Sequence, residues 1–388
     1  MFNFKRLWRI TILNFFKTRG TIARLTPRRW LILLGFYLLY AVVESTTWLC
    51  FALDRIFYPD FLKVKVKSPV FIIGNPRSGT TFSHRLMAAD ETNFCSMRMW
   101  EIFFAPSIVQ RKIWLALVKM DIRLGGYGHR YIEKWDQRLY NANPLHRTRL
   151  STPEEDEYLM IHQGTTIIAG MFFGFPDEAQ PFVKFDELLP EREKQRAGRY
   201  YKRCIQRHMY FHGQERIFIS KNPFFTPKID MLLNLFPDAM IIYLGRNPLK
   251  VVPSFASLSA LWWHGFCDTP IEYPHTDFIM NTAKYWYRYP LAYLESHPEV
   301  RYMLVEFDDM VGNPKRTITQ IYERLGLEIK PVFSHILDKE TIRSRQYRSK
   351  HEYSLDEVGF TREQILAEFN DVFDAWGFRR DLSENQDP

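Results

Sequence analysis

Gly74-Asn75-Pro76-Arg77-Ser78-Gly79-Thr80-Thr81 sets one cation and three hydroxyls between glycine-bounded turns. The segment follows an apolar run, Val70-Phe71-Ile72-Ile73, and opens a helical pattern from Phe82 to Ala89. Strand, glycine-bounded loop and helix make a phosphate cradle. Backbone N–H groups converge on an anion there, and the helix dipole favours negative charge. The spacing follows the nucleotide-binding frame G-x-x-x-x-G-K-[ST] with one departure. Thr80 occupies the lysine position, and Arg77 supplies a cation from within the loop. The lysine that reaches the outer phosphates of ATP is therefore missing from its place. A second segment runs from Tyr243 to Ser254. Arg246 stands there at the end of a strand candidate, Met240 to Leu244, and Ser254 falls two turns into the helix that follows. An arginine fork and a neutral hydroxyl can share one phosphate.

Together these segments resemble the sulfotransferase superfamily. The run Pro76-Arg77-Ser78-Gly79-Thr80-Thr81 is similar to that family's 5′-phosphosulfate loop, and Arg246 with Ser254 to its 3′-phosphate site. Ile217-Phe218-Ile219-Ser220-Lys221-Asn222-Pro223-Phe224 resembles the lysine-bearing strand end, especially that of tyrosylprotein sulfotransferases. Lys350 to Phe360 resembles a tail found in many bacterial members. The resemblance covers Val70 to the C-terminus. It implies an α/β fold of the P-loop type, three layers around a central parallel sheet. The donor it implies is 3′-phosphoadenosine 5′-phosphosulfate (PAPS), and the acceptor a hydroxyl. Arg77, Ser78, Gly79, Thr80 and Thr81 would hold the phosphosulfate, and Lys221 would stabilise the leaving phosphate. Transfer needs in-line oxygens and charge stabilisation, and this scheme requires no metal. Two other readings stay open: a P-loop kinase or NTPase, and a catalytically inactive membrane-bound adaptor.

Many cytosolic sulfotransferases carry a histidine two residues after the lysine. Here that position is Pro223, which cannot accept a proton. Glu101 is the expected base, because tyrosylprotein sulfotransferases place a catalytic glutamate in a comparable region. Its neighbours Trp100, Ile102 and Phe103 would raise its pKa usefully. Its rivals are His146 and the cluster Glu154-Glu155-Asp156-Glu157, which also reads as a charged first helical turn.

The chain has 388 residues and a formal net charge of +8. No acidic residue precedes Glu44, and eight cations do. Without those eight, the 52 Lys and Arg fall to 44, matching 44 Asp and Glu. The basic excess belongs to the N-terminal arm, so it argues for a membrane surface and against nucleic acid. In residues 1–29, Phe4, Leu7, Trp8, Ile12, Phe15 and Phe16 recur at helical spacing among basic residues, a pattern suited to an anionic interface. Residues 30–62 form a hydrophobic membrane-associated segment. Thr26-Pro27 reads as cap and first residue of its helix, and Glu44 is the only charge from Trp30 to Leu53. That length can span a bilayer. Glu44-Ser45-Thr46-Thr47 interrupts the run, and Lys63, Lys65 and Lys67 follow it, so an in-plane segment on the cytoplasmic face is preferred to a spanning one. A buried core helix is the third reading. No N-x-[ST] sequon occurs.

Residues 63–388 form the expected transferase domain, with 90–214 as a helical insertion shaping the acceptor pocket. Helical patterns run from Arg111 to Leu124 and from Pro190 to His212, and loops are expected from Gly164 to Pro181. Strands are expected at Ile217–Ser220, Met240–Leu244 and Tyr302–Val305. Thr226-Pro227 is expected to cap a helix to Phe236, Pro314 to start one ending near Gly326, and Thr361 to cap a C-terminal helix. The four cysteines show no ligand spacing, and the histidines are expected to offer no H-x-x-x-H or H-E-x-x-H ligand pattern and to hold no metal.

Overall fold

The computed structural model describes residues 2–142, 148–346 and 355–381. His146 and the first part of the Lys350–Phe360 string lie outside the described residues. The apolar runs pair as five parallel strands: β1 (Val70–Gly74), β2 (Phe94–Cys95), β3 (Ile217–Lys221), β4 (Met240–Gly245) and β5 (Arg301–Glu306), in the order β2-β3-β1-β4-β5. Every residue of β1 and β4 is buried, as a parallel sheet covered on both faces demands. Side chains of β1 alternate between two cores. Phe71 and Ile73 join Ile241 and Tyr243 on one face; Val70 and Ile72 join Ile242 and Leu244 on the other. The result is the expected three-layer α/β architecture. Ile72 pairs with Lys221 and Gly74 with Leu244, so the C-terminal ends of β3, β1 and β4 stand side by side. Ligands of open α/β sheets bind at such strand ends.

Helix α3 (Thr80–Ala88) follows β1 directly. The segment between α3 and β3 is mostly helical, including α4 (Met99–Phe104), α5 (Ile108–Arg123) and the helix Glu191–His212. It also contributes β2, whose two residues are too short to show a period. Gly164 to Pro181 is not all loop: helices Ile168–Phe172 and Pro176–Val183 lie there, divided at Gly174 (φ 77°). Thr226 does not cap a helix. Its hydroxyl bonds the N–H and C=O of Gly74, both at 3.0 Å, while Asn222 caps the 3-10 turn Pro223–Lys228 and the α-helix begins at Ile229. Pro314 and Thr361 begin their helices as expected.

At the N-terminus, α1 (Phe4–Phe16) precedes α2 (Pro27–Phe57), which Thr26 caps. Helix α2 is the single helix among the described residues long and apolar enough to cross a membrane. It runs unbroken through Glu44-Ser45-Thr46-Thr47: Glu44 and Thr47 face the protein, while Ser45 and Thr46 are exposed and Thr46 Oγ1 donates back to the Val42 carbonyl at 2.8 Å. Glu44 Oε1 lies 2.8 Å from His162 Nδ1, and Thr47 Oγ1 accepts from Gln110 at 3.0 Å. Asp54, fully buried, accepts from Ser107 Oγ (2.8 Å), Val109 N (2.9 Å) and Arg207 Nε (2.7 Å). Docking runs along the whole helix, while Leu31, Leu38, Val42 and Leu49 stay exposed on its outer side. A bilayer around α2 would have to replace this buried polar seam, at several kcal/mol for each group left unpaired.

Candidate active site

The loop 74–81 carries the least relaxed backbone of the site. Arg77, not a glycine, has φ 72°, and Gly79 has φ 80°. A Cβ on Gly79 would come within 2.6 Å of the Phe307 ring. Left-handed conformations at a non-glycine cost on the order of 1–3 kcal/mol and persist where surroundings impose them. The first intrahelical bond of α3 runs from Ser83 N–H to Gly79 C=O at 3.1 Å, so the preceding N–H groups have no acceptor within the helix. Unpaired N–H groups at a helix start favour an anion.

Register brings the other cations to this loop. Arg246 follows β4 and donates to the Arg77 carbonyl at 3.2 Å, its guanidinium 4.1 Å above the Phe307 ring. The Tyr287 hydroxyl donates to the Arg246 carbonyl. Arg77 Nε donates to Ser254 Oγ at 2.9 Å. Arg77, Arg246 and Ser254 therefore form one group, with Arg77 turned toward the pair expected at the 3′-phosphate. Lys221, at the end of β3, donates from Nζ to Thr81 Oγ1 at 3.1 Å and to Glu155 Oε1 at 2.7 Å. Arg77, Gly79, Thr80, Thr81, Glu155 and Arg246 line a cavity of about 590 Å³, whose apolar walls include Tyr158, Phe224 and Trp262. Ser78, Lys221 and Ser254 are buried behind that wall.

Glu101, the expected base, does not reach this cavity. It is the N3 residue of α4, its Oε2 accepting the Arg98 N–H at 2.8 Å. Its other oxygen lies 2.6 Å from His212 Nε2 and 3.7 Å from Arg111 Nη1. Burial pushes the carboxyl up, but Arg111, His208 and His212 outweigh it and hold it well below the usual carboxylate range. That is opposite to the rise expected from its apolar neighbours in sequence. Glu101 lines a separate pocket of about 260 Å³. His208 and His212, spaced H-x-x-x-H, complete a cluster with Glu101 that the reading of the histidines passed over. Arg111 borders it: its Nη1 lies 3.1 Å from His208 Nδ1 and 3.7 Å from Glu101 Oε1, a charge that would repel a divalent cation. We read the cluster as a buried ion-pair network.

Asp156 and Glu157 do stand in the first turn of a helix, the 3-10 helix Asp156–Gln163, but the acidic run is not open to solvent. Glu154, Glu155, Asp156 and Glu157 are all buried. Glu155 takes Lys221. Asp156 accepts from Ser220 Oγ at 2.6 Å and Tyr201 OH at 2.5 Å, and Glu157 accepts from Lys228 at 2.8 Å. Burial raises the Asp156 carboxyl to about 6 despite those hydroxyls. Alternate acids meeting the lysines at 221 and 228 were the signal available in the sequence. Carboxylates are almost never fully buried unless paired.

With this geometry in place, the comparisons with known proteins are informative. The family model described as "Sulfotransferase family" matches residues 69–331. The omega-hydroxy-beta-dihydromenaquinone-9 sulfotransferase Stf3 of Mycobacterium bovis and that of Mycobacterium tuberculosis are each 26% identical over 325 residues, 81% of this chain and 76% of theirs. Among solved structures, sulfotransferase STF9 of Mycobacterium avium superposes with a TM-score of 0.68 at 20% identity, covering 85% of this chain and 82% of its own. STF1 of Mycobacterium tuberculosis H37Rv gives 0.67 at 18%, covering 95% and 92%. The match to the family model spans most of the chain and contains the loop, Glu155, Lys221, Arg246 and Ser254: this chain belongs to the sulfotransferase family.

Proposed function

We propose that this chain moves a sulfuryl group from PAPS to a hydroxyl of a lipid or other amphiphile, with Glu155 as general base. One observation carries the reading. Thr81, Glu155 and Lys221 meet within 3.1 Å at the wall of one cavity, although they lie on three separate elements. The strand ends flanking the phosphate loop carry Lys221 and Arg246, cations where a magnesium–nucleotide site uses an acid. That arrangement suits a donor whose transferred group carries less charge than a terminal phosphate.

In the reaction the acceptor oxygen attacks sulfur and the sulfur–oxygen bond to the 5′-phosphate breaks. The acceptor proton goes to the Glu155 carboxylate, and 3′-phosphoadenosine 5′-phosphate departs with the bonding electron pair on its 5′-phosphate oxygen. Arg77, the α3 amides and Thr81 would hold the phosphosulfate, Lys221 would meet charge developing on the leaving oxygen, and Arg246 with Ser254 would fix the 3′-phosphate. The aromatic walls suit an apolar acceptor body. A relative named for a hydroxylated menaquinone supports a lipid alcohol as acceptor class, and the apolar outer sides of α1 and α2 support work at a membrane, on its cytoplasmic face where donor is made.

The test is donor competition followed by transfer of isotopically labelled sulfate into a lipid extract. Binding of 3′-phosphoadenosine 5′-phosphate in preference to Mg-ATP, with label in the organic phase, is expected. Tight Mg-ATP binding without recognition of the 3′-phosphorylated nucleotide would replace this reading with a kinase or NTPase.

A further inference from the structure

Helix α5 and the helix Tyr127–Ala142 form a hairpin that leaves the body of the protein. Gly125 (φ 104°) and Gly126 (φ 67°) turn the chain, and Asp121 accepts from Gly128 N and His129 N, both at 2.8 Å, to fix the second helix. The root is firm. Asp54 of α2 binds the first amides of α5, and Arg111 is fully buried. Beyond Arg111 almost every side chain is open to solvent, and many are large and apolar. Ile113, Trp114, Leu117, Met120, Ile122 and Leu124 are 41–71% exposed. At 100° per residue they cover roughly 200° of the helix circumference. Tyr127, Tyr131 and Trp135 are exposed on the second helix.

We propose that this hairpin is a membrane-insertion element that seats the enzyme in an anionic bilayer independently of α1 and α2. The apolar arc is the first reason: a protein partner covers one stripe of a helix, whereas lipid covers whatever enters it. Charge is the second. Lys112, Lys119, Arg123, Arg130, Lys134 and Arg138 are exposed along the hairpin. Its three acids are occupied: Asp121 by the turn, Asp136 by Leu150 N at 2.7 Å, and Glu133 by His129 at 3.4 Å. Exposed cations interleaved with Trp and Tyr are the composition of an interfacial helix, not of a solvated one. Length is the third. Sixteen residues are too few to span a hydrocarbon core of about 30 Å, so the hairpin enters one leaflet. The hairpin is thus given a role other than the expected one of shaping the acceptor pocket.

The test places an environment-sensitive fluorophore on Leu117→Cys in the full chain; the four native cysteines are buried. Phosphatidylcholine vesicles with and without phosphatidylglycerol are the probe. A blue shift and protection from aqueous quencher with the anionic vesicles are expected. Lys112→Glu, Lys119→Glu and Arg123→Glu together lower that partitioning about a hundredfold or more, since each basic residue near an anionic surface is worth about 1 kcal/mol. Unchanged circular dichroism shows that the variants fold. The label reports the hairpin itself, so binding through α1 and α2 alone leaves it wet and overturns the proposal. A shift without vesicles that grows with protein concentration overturns it too, in favour of a second copy of the chain.

Discussion

Replacing Glu155 by Gln separates its two duties. The carboxylate is buried and accepts from Lys221 Nζ at 2.7 Å, with Lys221 itself 1% exposed. Removing one partner of a buried ion pair costs about 3–5 kcal/mol when the other charge is stranded. Here the Gln oxygen still accepts, Thr81 Oγ1 remains at 3.1 Å, and the carboxylate opens on the cavity, so about 1–3 kcal/mol is expected. That loss shows as a lower Tm. The catalytic loss is separate. Without a base, kcat falls by about 10²–10⁴, a barrier rise of about 3–5 kcal/mol at 1.36 kcal/mol per decade. Affinity for 3′-phosphoadenosine 5′-phosphate stays within a few-fold, because Arg77, Arg246 and Ser254 are untouched. Glu101→Gln gives the converse: lower stability, since Arg111 and His212 lose their carboxylate, with kcat per folded molecule near wild type. Single-turnover sulfate transfer and calorimetric nucleotide binding decide the matter. A Glu155→Gln enzyme within threefold of wild-type kcat, beside a Glu101→Gln enzyme that binds donor and does not turn over, would return the base to Glu101.

Arg246→Ala raises donor KM more than it lowers kcat, because an ion pair formed equally in ground and transition states is uniform binding; an unchanged KM removes Arg246 from the donor site. Asp54→Ala strips the amides of α5 and the Arg207 guanidinium of their shared acceptor and lowers stability by about 3–5 kcal/mol. A chemical-denaturation midpoint at the wild-type value would mean that α2 leaves the body, as a spanning helix does. Asp156 gives a pH signature. Burial raises its pKa from 3.8 to about 6, so its contribution to stability is full below the unfolded value and is lost as pH rises through about 6. The wild-type Tm should fall between pH 4 and 7 relative to Asp156→Asn; parallel profiles would show that Asp156 does not carry the shift.

Local chemistry made much of this protein legible in its residues. Apolar runs bounded by turn formers located β1, β3, β4 and β5, and Pro27, Pro314 and Thr361 marked helix starts where their stereochemistry permits little else. The strand–loop–helix pattern with Arg77 in the loop was legible too, because β1, the loop and the start of α3 are built from consecutive residues. What depends on distant partners was decided only in three dimensions. In sequence Glu101 sits among Trp100, Ile102 and Phe103 and Glu155 among other acids, and neither setting reveals its partner. Arg111 and His212 draw the first into an ion-pair network, while the register of β3 against β1 delivers Lys221 and the cavity to the second. Likewise Glu44 and Thr47 look like flaws in an apolar span until His162 and Gln110, more than sixty residues away in sequence, supply their partners. A carboxylate's role follows from the field around it. Neighbours in sequence set only part of that field; burial and the charges that folding brings within a few ångströms set the rest.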